Sequence, residues 1–330
     1  MIDLKTNYLG LQLKNPLIVG SSRITGDIRS IKQCVDFGAS AVVLKSLFEE
    51  QINLEAESKM KQGTDNEIYY WYPEAKKKVY GLSVDENLQR YLDFLKSVKS
   101  EIDVPVIASI NCTSAEGWPK FAAEIEKAGA DALELNIAIF PFDTASSSDD
   151  LEKMYYKIVK EVKANVSIPV SIKLGHYFTN LNSVASNLVD AGIDGIVLFN
   201  RYFRPDIDID TMKVIENQNF TSPEEHVIPL RWIGLMTGSK IGCDLAASTG
   251  IHYHTGVIKQ ILAGAKAVQL CSTLYLNGIP IIGKILKEME KWMESKNFKT
   301  LEDFRGSSLD FQTTDASFER IQYMKRNLSE

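Results

Sequence analysis

The feature that most restricts the fold of this sequence is a repeated alternation of short apolar runs with segments of helical spacing. Continuous apolar runs of this length are typical of strands buried on both faces of a parallel sheet. Eight such units favour closure into a (β/α)8 TIM barrel, and a doubly wound open sheet is the alternative. The predicted strands are Pro16–Ser22, Ala41–Ser46, Val104–Asn111, Ala132–Ile137, Ile168–Gly175, Asp194–Asn200, Asp244–Thr249 and Ala265–Cys271.

The segments between the predicted strands have the apolar spacing of amphipathic helices. Several of these segments end at a glycine, as helices commonly do. The predicted helices are Ile28–Phe37, Asp85–Val98, Phe121–Lys127, Leu151–Val162, Leu181–Val189, His254–Leu262 and a last helix that opens at Pro280.

Other segments lie outside this alternation. The pattern in Leu4–Leu9 and Leu11–Leu13 predicts a small N-terminal hairpin ahead of the barrel. Two long connections, Leu47–Tyr80 and Arg201–Ile228, follow strands two and six, so we expect long loops over the C-terminal face. The aromatic residues of the first connection equally suit a dimer interface. We expect residues 1–330 to form a single domain with a C-terminal helical extension from about residue 298.

The charge balance restricts the classes of partner. The chain has 43 acidic and 37 basic residues, a net charge of −6, and both kinds are mixed along it. This argues against a nucleic-acid or membrane surface and favours small-molecule partners. The N-terminus has charges where a signal peptide needs an unbroken apolar run, so we expect a cytoplasmic protein. The four cysteines are far apart, which predicts free thiols and neither zinc nor an iron–sulfur cluster.

Polar residues recur at the ends of the otherwise apolar predicted strands. Because the carboxyl ends of parallel strands meet on one rim of a barrel, we expect these side chains to converge there. Two lysines and three asparagines on one rim call for a polar ligand that is anionic or rich in amides. The residues are Ser21, Ser22, Lys45, Ser46, Asn111, Asn136, Lys173 and Asn200.

The last two strand–helix units suggest a phosphate site. The turns at Gly250–Ile251 and Ser272–Thr273 follow strands seven and eight, whose loops commonly bind phosphate in such barrels. The alternative is a pair of ordinary turns. A phosphate cradle beside lysines and amides suits flavin mononucleotide (FMN), because amides can satisfy the edge of its ring. A lysine near N1 would stabilise the negative charge that develops on reduction.

Several segments resemble, in their order and spacing, those of the class 1 dihydroorotate dehydrogenases, which are cytosolic FMN-containing barrels. The resemblance implies FMN as the cofactor, flavin contacts from the strand-end residues named above other than Ser22, and a homodimer. It also implies phosphate contacts at Thr249, Gly250, Cys271 and Ser272, and a further flavin contact at Ser222. Gly20, Ser22 and Ile251 adjoin these positions and are included among the predicted cofactor-binding residues. The matching segments are NPLIVGSS, VVLKS, ASIN, LELN, SIKL, ASTGI, VQLCSTL and FKTLEDFRG.

The substrate side departs from the family pattern. The family has a cysteine or serine base after the fourth strand, where this chain has Ile139, and Pro141 replaces a substrate-binding amide. Lys78 stands where an asparagine is expected, and Arg201 where a small hydroxyl residue is usual. The flavin half is kept and the dihydroorotate half is rebuilt. His176, just past strand five, is the best-placed replacement base, although a surface histidine is the alternative.

The sequence therefore predicts an FMN-dependent oxidoreductase acting on a CH–CH bond of a dihydropyrimidine or another cyclic amide. The predicted catalytic residues are Lys45, Asn136, Lys173, Asn200 and His176. The sequence does not identify the electron acceptor, so fumarate, a quinone, a nicotinamide and oxygen stay open. Two alternatives are a flavin-free phosphate-binding lyase or synthase that uses a lysine Schiff base, and a non-catalytic flavin-binding module.

Overall fold

Eight parallel strands close into a barrel. The computed structural model describes residues 2–62, 73–111, 118–137, 139, 144–201, 205–216 and 220–307. Its strands are β1 (Thr6–Tyr8), β2 (Leu11–Leu13), β3 (Leu17–Val19), β4 (Ala41–Val43), β5 (Leu47–Phe48), β6 (Val106–Asn111), β7 (Ala132–Asn136), β8 (Val170–Leu174), β9 (Gly195–Leu198), β10 (Pro205–Asp208), β11 (Lys213–Glu216), β12 (Asp244–Ala247) and β13 (Ala267–Leu270). The barrel order is β3, β4, β6, β7, β8, β9, β12 and β13, which pairs again with β3. The predicted TIM barrel is confirmed, and the open-sheet alternative is wrong.

Helices cover the outside of the barrel. They are α1 (Ile28–Asp36), α2 (Glu49–Gln62), α3 (Pro73–Glu101), α4 (Trp118–Lys127), α5 (Ser148–Lys163), α6 (Leu181–Asp190), α7 (Val227–Gly238), α8 (His254–Leu262), α9 (Ser272–Leu276) and α10 (Ile281–Ser295). Local capping sets several of their ends. The Asp27 carboxylate accepts a hydrogen bond from the Ser30 N–H to start α1, and Ser147 and Asp150 form a capping box at α5. None of the described helices combines the length and hydrophobicity needed to cross a membrane.

The predicted N-terminal hairpin is confirmed, and it fills the bottom of the barrel. Strands β1 and β2 pair antiparallel, and Tyr8, Leu9 and Leu13 pack against inward-facing barrel residues such as Val197. The backbone N–H of Leu9 donates to Asp244 Oδ2 at 2.8 Å. A barrel of this size has no pore, so these side chains complete its interior at the amino ends of the strands.

The first predicted long connection contains regular secondary structure. The segment Leu47–Tyr80 contains β5, α2 and the beginning of α3, and residues 63–72 lie outside the described residues. The sequence of α2 lacks a continuous apolar stripe, and its Leu54 is 64% exposed. Helical spacing was therefore not readable there, because amphipathic periodicity is the main helix signal.

The second predicted long loop is also partly regular. Between Arg201 and Ile228, strands β10 and β11 form an antiparallel hairpin, and a 3-10 helix follows at Pro223–His226. The sequence of the hairpin alternates Asp and Ile, but aspartate is rare in strands, which hid this element.

The described part of the predicted C-terminal extension contains one 3-10 helix, Leu301–Asp303, and residues 308–330 lie outside the described residues. Arg305 ties this segment to the bottom of the barrel. Its guanidinium donates to the Ala265 carbonyl and, at 2.9 Å, to Thr6 Oγ1. The extension therefore holds the hairpin from below.

We expect Leu13→Ala to destabilise the protein by about 2 to 5 kcal/mol, because it leaves a cavity in the barrel interior. The control is Gln12→Ala, at an exposed position of the same strand, which should stay within about 0.5 kcal/mol of wild type. Urea unfolding measures both. Equal midpoints for the two variants would show that the hairpin does not complete the core.

Candidate functional site

A cavity of about 210 Å³ opens at the carboxyl ends of the barrel strands. It is lined by residues from β3, β8, β9, β12, β13 and the segments that follow them. Eight lining residues were predicted as site residues: Ser21, Lys173, Asn200, Thr249, Gly250, Ile251, Cys271 and Ser272. Five were not: Phe199, Arg201, Thr221, Ser248 and Gln269. Residues far apart in sequence thus converge at the rim of a parallel barrel, as the fold requires.

Lys173 lies in the wall of this cavity and belongs to a buried polar chain. Its Nζ donates to Gln269 Oε1 at 2.9 Å, and Gln269 Nε2 donates in turn to Glu134 Oε2. Lys173 Nζ also lies 4.0 Å from Glu134 Oε1. Lys173 is 8% exposed and Glu134 only 1%, so the ion pair is almost completely shielded from water.

Two asparagine side chains meet beside Lys173. Asn200 Nδ2 donates to Asn136 Oδ1 at 2.7 Å, and Asn136 is the register partner of Lys173 in the neighbouring strand. The Asn200 backbone N–H donates to the Leu174 carbonyl at 2.7 Å, which anchors the residue to the end of β8. The side-chain contact between Asn200 and Asn136 uses one amide donor and one amide acceptor, and the remaining amide atoms of the two side chains can bind a ligand.

The turn after β12 packs closely against a neighbouring segment. Gly250 has a φ of +73°, and a Cβ atom there would lie 2.5 Å from the Glu225 carbonyl carbon. Only glycine fits such a turn without strain. Thr249, with a φ of +80°, donates from Oγ1 to the Phe199 carbonyl at 2.9 Å. Packing alone therefore requires glycine at position 250.

Thr221 joins the two turns that were predicted to bind phosphate. Its backbone N–H donates to Ser272 Oγ at 3.0 Å, and its hydroxyl lies 3.1 Å from His252 Nε2. Burial lowers the pKa of His252, which favours the neutral imidazole. His252 is 2% exposed, so it supports the turn from behind.

A chain of hydroxyl groups leads away from the cavity. Ser21 Oγ lies 3.1 Å from Ser46 Oγ, which lies 2.7 Å from Ser109 Oγ. Ser46 and Lys45 line a neighbouring cavity of about 410 Å³ between β5, α2 and α3. Lys45 is exposed, so the two predicted lysines occupy different environments.

The remaining predicted binding residues, Gly20, Ser22, Asn111 and Ser222, are not among those that line the cavity. A Cβ atom at Gly20 would lie 3.3 Å from Gln269 Oε1, and the Ser22 backbone N–H donates to Thr25 Oγ1. Asn111 ends β6, where its register partner is Phe48 of β5. Ser222 is the N-cap of the 3-10 helix at Pro223–His226. Their contacts with a cofactor stay predictions.

The structure describes some, but not all, of the residues that are relevant to proton transfer. Ile139 is half-buried, packs against the outer core, and its N–H lies 3.4 Å from the Tyr155 hydroxyl. Its side chain has no group that can accept a proton. The His176 ring is half-buried, 5.9 Å from the ring of the cavity residue Phe199. Lys78 belongs to α3, and Pro141 lies outside the described residues.

Sequence reasoning missed Glu134 and Gln269, although a signal for both exists. Each is a polar residue inside an apolar strand, two positions before a predicted site residue, Asn136 or Cys271. Side chains two positions apart in a strand face the same side, so both had to point into the barrel. Thr221 gave no comparable signal, because it lies in an irregular segment.

The sequence matches the family model described as dihydroorotate dehydrogenase over residues 3–293. Among curated relatives, the catalytic subunit of dihydroorotate dehydrogenase B (NAD(+)) from Methanocaldococcus jannaschii is 30% identical, over 92% of this chain and 97% of its own. The subunit of the same name from Thermoplasma acidophilum is 26% identical, over 94% and 100%. The chloroplastic dihydropyrimidine dehydrogenase (NADP(+)) of Arabidopsis thaliana is 23% identical, over 97% and 80%. Because the family model covers most of its length, this chain belongs to the dihydroorotate dehydrogenase family.

Proposed function

We propose that this chain is an FMN-dependent oxidoreductase that oxidises a CH–CH bond in a cyclic amide of the dihydropyrimidine class. The observation that carries the proposal is the cavity in which Lys173, Asn200 and Ser21 face the turns at Gly250 and Ser272. The names of the relatives support the reaction class, since they are dehydrogenases of dihydroorotate or dihydropyrimidine.

The residues present fit FMN. Ser21, Lys173 and the Asn136–Asn200 pair would hold the polar edge of the ring, and the turns at Gly250 and Ser272 would hold the phosphate. FMN supplies two-electron redox chemistry that amino-acid side chains lack. The charged ammonium of Lys173 then favours the negative charge that a flavin gains on reduction, because the site is shielded from water.

Proton transfer must follow a route different from that of the family. Oxidation of a CH–CH bond releases a proton, and Ile139 cannot accept it. We assign this role to His176, which is half-buried just beyond β8, near Phe199 at the cavity wall. A substrate placed for His176 differs in position from dihydroorotate held for a base at residue 139. We therefore infer that the substrate is a related cyclic amide.

The electron acceptor varies among the relatives. The names of the archaeal relatives contain NAD(+), and that of the plant relative contains NADP(+). The archaeal relatives are also named as catalytic subunits. We infer that reduced enzyme passes electrons to a nicotinamide nucleotide, directly or through a partner subunit. Reoxidation rates with NAD(+), NADP(+), fumarate, a quinone and oxygen identify the acceptor.

A homodimer is the assembly that we propose, and the hairpin of β10 and β11 supports it. Ile207 and Val214 are register partners on one face and are 62% and 66% exposed. Ile209 and Met212, at the end of the hairpin, are 86% and 84% exposed. Such clustered apolar exposure is unusual on a monomer and typical of interfaces.

We expect Ser272→Asp to abolish copurification of the yellow cofactor. Two like charges about 5 Å apart repel by roughly 3 kcal/mol at an effective dielectric constant of about 20, which weakens phosphate binding about 100-fold. Ser272→Asn has nearly the same shape without the charge, and it should keep most of the affinity. Fluorescence titration of apoprotein with FMN measures both. Equal affinities for the two variants would place the phosphate elsewhere.

Reduction of the bound flavin by dihydroorotate should be slow, because a positioned base contributes about 10² to 10⁴ in rate. Ile139→Cys should recover little of this factor, because the family amides are also missing at Lys78 and Pro141. Anaerobic stopped-flow spectroscopy measures flavin bleaching. A fast, saturable reaction of wild type would mean that the dihydroorotate site is intact. In that case His176→Gln tests whether His176 already supplies the base.

Ile207→Lys/Val214→Lys should convert a dimer into a monomer, because two charges would have to lose their water in the interface. Lys213→Gln, which changes the opposite face of the same hairpin, is the control and should leave the dimer intact. Light scattering across a range of protein concentrations gives the mass of each variant. A dimer that survives the double substitution would exclude this hairpin as the interface.

A further inference from the structure

Glu134 is a carboxylate in the interior of the barrel. It lies in the middle of β7, between the register partners Ser109 of β6 and Ser171 of β8. It is 1% exposed, and Oε1 has no hydrogen-bond partner among the described residues. A buried charge is costly unless nearby groups compensate it, so the surroundings of Glu134 must supply that compensation.

Gln269 and Lys173 provide the compensation. A carboxylate can only accept hydrogen bonds and an ammonium can only donate them, so the Gln269 amide has one possible orientation between the two. Its Oε1 accepts from Lys173 at 2.9 Å, and its Nε2 donates to Glu134. The Lys173 ammonium lies 4.0 Å from the free oxygen of Glu134. The three side chains form one unit with no net charge.

The unit extends to the wall of the cavity. Lys173 and Gln269 both line the cavity, whereas Glu134 lies beneath them, two residues before Asn136 on the same face of β7. The positive end therefore faces a bound ligand and the negative end is held behind it. Any ligand that gains negative charge interacts with both ends and not with Lys173 alone.

We propose that Glu134 is a positioning residue for Lys173. Glu134 holds the Lys173 ammonium in place through Gln269, and its negative charge offsets part of the charge that the ammonium presents to a bound flavin. The proposal rests on the FMN-dependent function proposed above. A flavin gains negative charge on reduction, so Lys173 favours reduction and Glu134 opposes it. We expect loss of this offset to change the equilibrium roughly 10- to 30-fold, which is about 1.4 to 2 kcal/mol.

The test is Glu134→Gln, which keeps the shape and can still accept from Gln269. At a fixed potential, the ratio of reduced to oxidised flavin should rise about 10- to 30-fold, where tenfold is about 30 mV for a two-electron couple. A redox titration against a reference dye measures it. The control Asp149→Asn removes an exposed carboxylate from α5 and should leave the ratio of reduced to oxidised flavin unchanged. An unchanged or lower ratio in Glu134→Gln overturns the proposal.

Repeating the Glu134→Gln substitution in a Lys173→Met variant separates the proposed role of Glu134 from a merely structural one. In Lys173→Met there is no ammonium for Glu134 to position or to offset. Glu134→Gln should then leave the flavin potential unchanged in that background. An equal increase with and without Lys173 would mean that Glu134 does not act through Lys173.

The same pairing is measurable without flavin. Lys173→Met alone should lower the urea midpoint of the apoprotein, and Glu134→Gln in addition should restore most of the loss. Failure of that restoration contradicts the pairing itself. Wild-type protein that binds no FMN while this restoration holds would instead remove the proposed function, and with it the redox role of Glu134.

Discussion

The interior of a closed eight-stranded barrel can be filled only by side chains that point inward, and the rest of this molecule depends on that constraint. Strand β7 shows the gradient along the barrel axis. Ala132 packs with the apolar interior, Glu134 lies in the buried middle, and Asn136 reaches the rim near Lys173. The amino ends are sealed by the hairpin, so the ligand must enter at the carboxyl ends. A charged side chain in the buried middle of the barrel must be compensated by the side chains around it.

The sequence predicts the barrel well because each of its strands is buried on both faces. A strand of this kind is a continuous apolar run, and the helix between two strands has a clear apolar stripe, as in Leu181–Asp190. Once the barrel is known, strand-end residues such as Lys173 and Gly250 must share one rim. The convergence of the candidate site therefore follows from topology, without any knowledge of the loops.

Other features are not readable from the sequence, for physical reasons. Helix α2 has weak amphipathicity, and the β10–β11 hairpin is mostly exposed, so burial leaves no pattern in either segment. The bond from Thr221 to Ser272 joins residues from two irregular turns, whose approach no local rule predicts. Gly250 was predicted as a phosphate contact, but its close packing against Glu225 is a tertiary constraint. Local patterns specify elements, and contacts between elements need the fold.

The predicted division between a kept cofactor half and a changed substrate half agrees with where the fold places these residues. The proposed cofactor contacts come from strand ends and their first turns, which the barrel holds rigidly. The departures from the family at Lys78, Ile139 and Arg201 lie beyond strand ends, in segments that can change without disturbing the sheet. Such an arrangement would let a family keep its redox centre while it changes the molecule that the centre oxidises.

The buried ion pair connects this division to stability. A lone Lys173 in the barrel wall would carry an uncompensated charge, and its cost would fall on the fold whenever no ligand was bound. With Glu134 behind it, the pair is neutral and Gln269 bridges the two charged groups, so the empty barrel carries less uncompensated charge. The compensation also weakens the field of Lys173 at the cavity. If the proposed role of Glu134 holds, this one side chain increases the stability of the empty barrel and lowers the electron affinity of the proposed cofactor.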